Sequence, residues 1–424
     1  MKAKVKVISL IILLFAVCTF AADWPQYLGP QRDGTSAEKG ILRTWPAEGP
    51  KALWTATVNM GYGGPAISDG KVYILDRDEK VGDNLRCLDL SSGAELWNFA
   101  YDAAASLPHG GSRTTPAVDG DRVYTCGPMG HLYCVNTSTH KPVWNKNIWT
   151  DFGGGQLPRW GVTQNPLVYG NLLIVAPQTS QAGVVAYDKM TGELKWTSPA
   201  QSGNVGYVSP SIVKIGGEDH LVMITATAGR GRSASGGTVY GMDPQSGKVL
   251  WTYGNWQCGI PVPDAVDAGE NRVLITGGYS AGAAMIKVQK KGDGGYEVEE
   301  LYKNIDFGSH TLPPILFEDH FYAQYTINER SDGFVCMTMD GQVKWKTGEN
   351  PLFNKGGAVL ADGLILAVDG SKMLYLIEPD PSGFKPLASV ELLEAGENWA
   401  PIALSGGKLF IRDQKHMKCL QVTN

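Results

Sequence analysis

Short apolar runs of two to four residues recur along the chain, each entered from a tight turn. Asp69-Gly70 precedes Val72-Tyr73-Ile74, Asp119-Gly120 precedes Val123-Tyr124, and Gly170-Asn171 precedes Leu172-Leu173-Ile174-Val175. The same arrangement follows at Gly216-Gly217, Gly269-Glu270-Asn271, Glu318-Asp319, Asp362-Gly363 and Gly406-Gly407. Runs this short, bounded by turn chemistry and without a 3.6-residue period, predict β-strands joined by hairpins.

A second pattern runs through the same chain. In Cys87-Leu88-Asp89-Leu90-Ser91-Ser92-Gly93-Ala94-Glu95-Leu96-Trp97, Asp89 caps a turn, Gly93 takes its positive φ, and Trp97 anchors the next strand. Asp188, Gly192 and Trp196 repeat these offsets, as do Asp243, Gly247 and Trp251. Degraded copies end at Trp144, with Asn136 and His140 replacing Asp and Gly, and at Trp345, with a shortened turn. A last copy follows Asp380. The aromatic anchors Trp54, Trp97, Trp144, Trp196, Trp251, Tyr302 and Trp345 are separated by 43, 47, 52, 55, 51 and 43 residues. That period of roughly 40–50 residues suits a four-stranded propeller blade. Both series count eight.

The expected fold is therefore all-β: an eight-bladed β-propeller of four-stranded antiparallel blades. The Trp54 strand has no strands before it, and the stretch 400–422 has three strands and lacks a fourth. Joining the N-terminal strand to the C-terminal three closes the ring and removes its free edges. The 424 residues and 53 glycines agree with a single large, turn-rich domain.

Residues 1–21 read as a signal peptide: Lys2, Lys4 and Lys6, an apolar core from Val7 to Val17, then Thr19-Phe20-Ala21 or Phe20-Ala21-Ala22 as a small-residue cleavage site. The apolar run is too short to span a membrane comfortably. The protein is accordingly expected to be periplasmic or secreted, with no transmembrane segment in the mature chain. Lipid attachment at Cys18 is disfavoured by Val17, where a small residue is wanted. Cleavage removes three positive charges and no negative one, moving the net charge from −5 to −8 and arguing against nucleic acid as a partner. Residues 22–53 form a leader, with Trp24 and Tyr27 anchoring an extended segment on the ring. The propeller is expected over 54–424, as a monomer.

Cys87, Cys134, Cys336 and Cys419 share one repeat position, held elsewhere by Ala186 or Gly241, and read as small buried residues. Cysteine spacing matches no zinc pattern. Cys126 and Cys134 share a hairpin, but its turn pairs Cys126 with Leu132, so no disulfide is expected there. Gly229 to Gly237 resembles a phosphate cradle, yet lacks the following helix and lysine and reads as a loop.

The loops that cross between blades vary while the turns on the opposite face repeat, so binding is expected on the crossing-loop face. Its candidates are His109, Arg113, Arg159, Trp160, Gln164, Asn204, Tyr207, Trp256, His310, Lys355, Asn398 and Trp399. Arg113, Arg159 and Lys355 carry the charge to meet an anionic ligand. Trp160, Trp256 and Trp399 have the rings to stack on a flat one. Each equally well fills its own loop or pairs with a neighbour. Asp264 is the one candidate for a catalytic base. No metal set is legible.

The Asp-x-x-[Ser/Thr]-Gly-x-x-x-Trp unit resembles the pyrroloquinoline quinone (PQQ) repeat, and Trp24-Pro25-Gln26-Tyr27-Leu28-Gly29-Pro30 resembles the leader of secreted PQQ-like propellers of planctomycete-type bacteria. The resemblance implies one of two roles. Quinoprotein alcohol dehydrogenases hold PQQ and Ca²⁺ on the ring axis and use an Asp as base. The propeller lipoprotein of the outer-membrane β-barrel assembly machinery (BamB-like) is a scaffold without cofactor. The chain lacks the adjacent cysteines of many quinoproteins and their Cys-x-x-Cys-His haem site. The expectation is a non-catalytic binding or scaffold protein, without cofactor, for an envelope protein or a small-molecule ligand. The alternatives are a PQQ- and Ca²⁺-dependent alcohol or sugar dehydrogenase and a carbohydrate-binding propeller. A Ca²⁺ site requires Asp264, Asn204, Asn398 and Glu397 to converge. A carbohydrate site requires the tryptophans to form a flat platform.

Overall fold

A computed structural model describes residues 23–228, 236–326, 331–394 and 396–424. Residues 1–22, with the expected signal peptide and Cys18, and most of the Gly229–Gly237 stretch lie outside these residues. The described residues form eight sheets, each built on four antiparallel strands, in sequence order in the first seven. The first blade comprises Ala66–Ser68, Lys71–Asp78, Gly82–Asp89 and Glu95–Asp102. Blades two to seven follow in the same order, their innermost strands beginning at Ala117, Leu167, Ser211, Val266, Ile315 and Ala358. The eighth is composite: Ala403–Ser405, Lys408–Arg412 and His416–Gln421 are completed by Ala52–Thr57, with Trp54 opposite Cys419. The ring thus closes as expected.

The repeat motif builds both the turn and the joint between blades. Asp89 Oδ1 accepts the N–H groups of Ser91 (3.1 Å) and Ser92 (2.8 Å), and Gly93 sits at φ 71°. At the degraded copy Asn136 Oδ1 accepts from Ser138 (3.0 Å) and Thr139 (2.8 Å), and His140 takes φ 59°. An Asx side chain suffices for this turn. The His140 ring stacks on Trp97 of the previous blade at 4.8 Å, which compensates the left-handed conformation. Each anchoring tryptophan faces a small residue on its own sheet: Cys87 for Trp97, Cys134 for Trp144, Ala186 for Trp196 and Gly241 for Trp251. Its ring covers the next blade's turn. A Cβ on Gly93 would come 2.6 Å from the Trp54 ring, whose Nε1 donates to Leu90 O at 2.9 Å. The core accordingly lies between blades: one cluster combines Tyr73, Leu75 and Leu85 of the first blade with Val118, Val123 and Val135 of the second. Cys126 pairs with Leu132, and the six described cysteines are buried free thiols.

The leader crosses the turn face of the ring. Trp24 exchanges backbone hydrogen bonds with Ile67 (2.9 and 2.8 Å), Val118 N–H donates to Pro25 O, and Leu360 N–H donates to Gly34 O. Thr35–Ser36 then adds a short parallel strand to the seventh blade. Trp24 and Tyr27 are buried anchors, at 2% and 4% exposure. The segment is not extended throughout, however. Residues 27–32 form turns, with Leu28 and Arg32 both at φ 58°, because the chain must fold back to stay under the narrow ring axis. Arg32 closes this stopper by donating to Pro166 O and Pro210 O, each at 3.2 Å, from the third and fourth blades.

Candidate functional site

The residue entering each innermost strand points toward the axis, and five successive blades use it to link to one another. Gly64 N–H donates to Thr115 Oγ1 (3.0 Å), Thr115 N–H to Asn165 Oδ1 (2.7 Å), Asn165 N–H to Ser209 Oγ (3.0 Å) and Ser209 N–H to Asp264 Oδ1 (3.0 Å). The corresponding positions in the last three blades are Pro313, Gly357 and Pro401, whose side chains cannot extend the series. The girdle therefore ends at Asp264. Its Oδ2 is buried without a hydrogen-bond partner among the described residues, and burial pushes the carboxyl up to about 7 against the pull of Arg32 and the Ser209 N–H.

Above this girdle the crossing loops enclose a cavity of about 180 Å³. Tyr27 of the leader contributes to its lining, so the channel is blind on the turn face. Part of its wall is a run of rings and cations drawn from four loops. Lys355 Nζ lies 4.3 Å from the centre of the Trp399 ring, Trp399 stacks on Tyr62 at 5.2 Å, and the Arg113 guanidinium lies 5.1 Å from the Tyr62 ring. Glu397 holds the run in place: its Oε2 accepts from the Tyr62 hydroxyl at 2.9 Å and lies 3.1 Å from His109 Nδ1. His109 and Glu397 both adopt left-handed backbone angles, φ 53° and 61°. Such strain in non-glycine residues is tolerated where surrounding contacts enforce it. Elsewhere in the lining Trp160 meets Tyr207 edge to face at 5.1 Å, and Tyr279 meets His310 at 4.3 Å. Burial lowers His310 to about 3, so it is neutral at neutral pH.

Among the candidates from sequence, His109, Arg113, Trp160, Tyr207, His310, Lys355 and Trp399 line this cavity. Arg159 is exposed above it, its guanidinium 5.4 Å from the Trp160 ring. Gln164 turns inward, with both side-chain atoms bonded to the Ala176 backbone. Asn204 is exposed and bridges Ala226 through its backbone. Trp256 is core, donating to Ala281 O at 3.2 Å, and Asn398 is buried and donates to Ser371 O. Asp264 lies behind the lining, one hydrogen bond below Ser209. Tyr62, Asn165, Ser209 and Tyr279 were not singled out from sequence. Tyr62 and Tyr279 sit in glycine-rich loops with no repeat offset to mark them.

The oxygen donors that a calcium site needs do not meet. Of Asp264, Asn204, Asn398 and Glu397, only Glu397 reaches a cavity wall, and no three His, Cys, Asp or Glu side chains among the described residues are grouped to hold a metal. Six to eight oxygen ligands cannot be assembled here. The tryptophans form no common platform either, since Trp256 is core, Trp160 abuts Tyr207, and Trp399 is engaged by Tyr62 and Lys355.

Residues 81–347, well over half of the chain, match the PQQ-repeat family model described as outer membrane protein assembly factor BamB. The chain is 28% identical over 187 residues to the serine/threonine-protein kinase AfsK of Streptomyces griseus, covering 43% of this chain and 21% of the kinase. It is 24% identical over 286 residues to a quinoprotein ethanol dehydrogenase of Pseudomonas putida, covering 63% of this chain and 40% of the enzyme. The chain thus spans well under half the length of either relative. Its fold superposes on BamB from Moraxella catarrhalis with a TM-score of 0.60 at 12% identity, covering 88% of this chain and 99% of that one.

Proposed function

The chain belongs to the PQQ-repeat β-propeller family, and on that premise we propose that it is a non-catalytic binding protein whose crossing-loop face takes a small anionic ligand into the axial cavity. We assign it to the periplasm or the exterior, on the strength of the N-terminal pattern of residues 1–21.

One observation carries this reading: two half-buried cations without a carboxylate within ion-pair distance among the described residues line the same cavity. Arg113 hydrogen-bonds backbone carbonyls, with Nε on Trp160 O at 3.3 Å and Nη2 on Pro108 O at 2.8 Å, and its Nη1 has no hydrogen-bond partner among the described residues. Lys355 rests on Trp399. Among the described residues neither has an acidic oxygen within ion-pair distance. Burial lowers the pKa of both, which marks a charge short of solvation. An anion entering the cavity supplies what each cation lacks. The aromatic lining favours a flat body for that anion.

The dehydrogenase reading is less well supported, because the calcium donors are dispersed and Asp264 stands behind the wall. The carbohydrate reading lacks its platform.

The test is a titration followed by tryptophan fluorescence and calorimetry, using isophthalate and PQQ as flat carboxylate probes, each with and without Ca²⁺. Calcium-independent binding is expected, weakened at least tenfold by Arg113→Gln or Lys355→Gln, in keeping with about 1.5–3 kcal/mol for a charged hydrogen bond. Absence of binding by either probe at millimolar concentration overturns the reading. Binding that requires Ca²⁺ and supports dye reduction by an alcohol turns it toward the dehydrogenase.

A further inference from the structure

Beside the axial cavity lies a second chamber of about 390 Å³, and His109, Lys355 and Trp399 line both. Its far side belongs to the seventh blade and includes Leu352, Asp369 and Ser371. Asp369 follows the strand Leu364–Val368 and is 8% exposed. Its Oδ1 accepts the N–H groups of Ser371 (2.7 Å) and Met373 (3.1 Å). Lys355 stands in the same lining, on the wall shared with the axial cavity. Burial and backbone N–H groups are the influences on its titration, and no Lys, Arg or His lies within ion-pair distance among the described residues. Glu397, the other carboxylate in this lining, is already engaged by Tyr62 and His109.

Charge is thus graded across the two chambers: Arg113 lines the axial one, Lys355 the wall they share, and Asp369 the far side of the other. A metal is a poor occupant for the second chamber, since no group of three potential ligands meets there among the described residues. A single ammonium group matches one carboxylate better.

We infer that the ligand is a two-part zwitterion, with a flat carboxylate-bearing ring in the axial cavity and an ammonium group on a short arm reaching Asp369 in the blade-seven chamber. This rests on the anion-binding reading of the axial cavity.

The experiment compares three probes by calorimetry: isophthalate, isophthalate carrying a 5-(3-aminopropyl) arm, and isophthalate carrying a 5-(3-hydroxypropyl) arm. The amino probe is expected to bind at least tenfold tighter than the hydroxyl probe. Asp369→Asn, which keeps the acceptor for Ser371 and Met373, is expected to abolish that preference. Equal binding of the two armed probes to the wild type overturns the inference, as does a preference that survives Asp369→Asn. If plain isophthalate binds but the arms make no difference, only the zwitterion inference falls. If nothing binds, the anion-binding reading falls with it. Should Asp369→Asn fail to fold, the amino-against-hydroxyl comparison on the wild type decides alone.

Discussion

The backbone N–H of Ser209 donates to Asp264 Oδ1 across the boundary between the fourth and fifth blades, at 3.0 Å, while Oδ2 of the same carboxylate has no hydrogen-bond partner among the described residues. One half of this side chain is a structural link and the other half is a buried charge site. Burial raises the group to about 7, with Arg32 the cation acting against it.

This fixes the sign of a pH effect. An unfolded Asp titrates near 3.9. Between about pH 4 and 7 the folded state binds the extra proton, so stability falls as pH rises through that window and levels off above it. Asp264→Asn keeps an acceptor for Ser209 and removes the titration. Its stability curve is expected to lose up to about 4 kcal/mol of the wild-type decline between pH 4 and 8. Asp83, which burial raises to about 6 despite Arg77, contributes a decline of the same sign in both proteins. Urea unfolding at several pH values measures the difference. Parallel curves for the two proteins count against the buried carboxylate.

Asn165 sits in the middle of the same girdle. Its Oδ1 accepts from Thr115 N–H at 2.7 Å and its Nδ2 donates to Ser209 Oγ at 3.0 Å. Asn165→Ala strands a donor and an acceptor in the interior, at a cost of about 2–4 kcal/mol. A lower urea midpoint with an unchanged m-value is the expected result.

Gly241 faces Trp251, and a Cβ there would lie 1.9 Å from the indole Cε2. In other blades the same position accepts Ala or Cys, but here the strand lies closer to the ring. Gly241→Ala is expected to destabilise by about 1–3 kcal/mol, the usual range for overpacking. A thermal midpoint equal to the wild type's argues against this close approach.

The six described thiols are buried. Burial pushes Cys126, Cys134, Cys258 and Cys419 up to about 12, and Cys87 and Cys336 to about 11. Because the thiolate is the reactive form, none of them is expected to react quickly with a disulfide reagent at pH 8 in the native protein. Unfolding in urea should release all six. A native thiol reacting at the rate of a free one would show that a blade opens easily.

The blades were legible because their chemistry is local. An Asx residue, a left-handed residue four positions on and an aromatic anchor after it act within about ten residues, so the hairpin is written wherever the motif stands. Even the altered copy at Asn136 and His140 preserves it, since Asn offers the same acceptor. The pairing of Cys126 with Leu132 and the closure of Trp54 onto the C-terminal strands follow from turn position and from the count of strands. The crossing loops were likewise recognisable as the variable face. What they assemble was not. Tyr62 and Trp399 are far apart in the chain and meet only because the ring closes between them. Gln164, Trp256 and Asn398 stand on crossing loops, as Arg113 and Trp160 do, yet turn inward to satisfy backbone groups or fill the core. The composition of a loop does not distinguish a side chain serving its own backbone from one facing the axis. Local hydrogen-bond geometry thus determined the repeat from sequence alone. The cavity, its stopper at Tyr27 and its unpaired charges are products of closure, which brings distant loops to one axis.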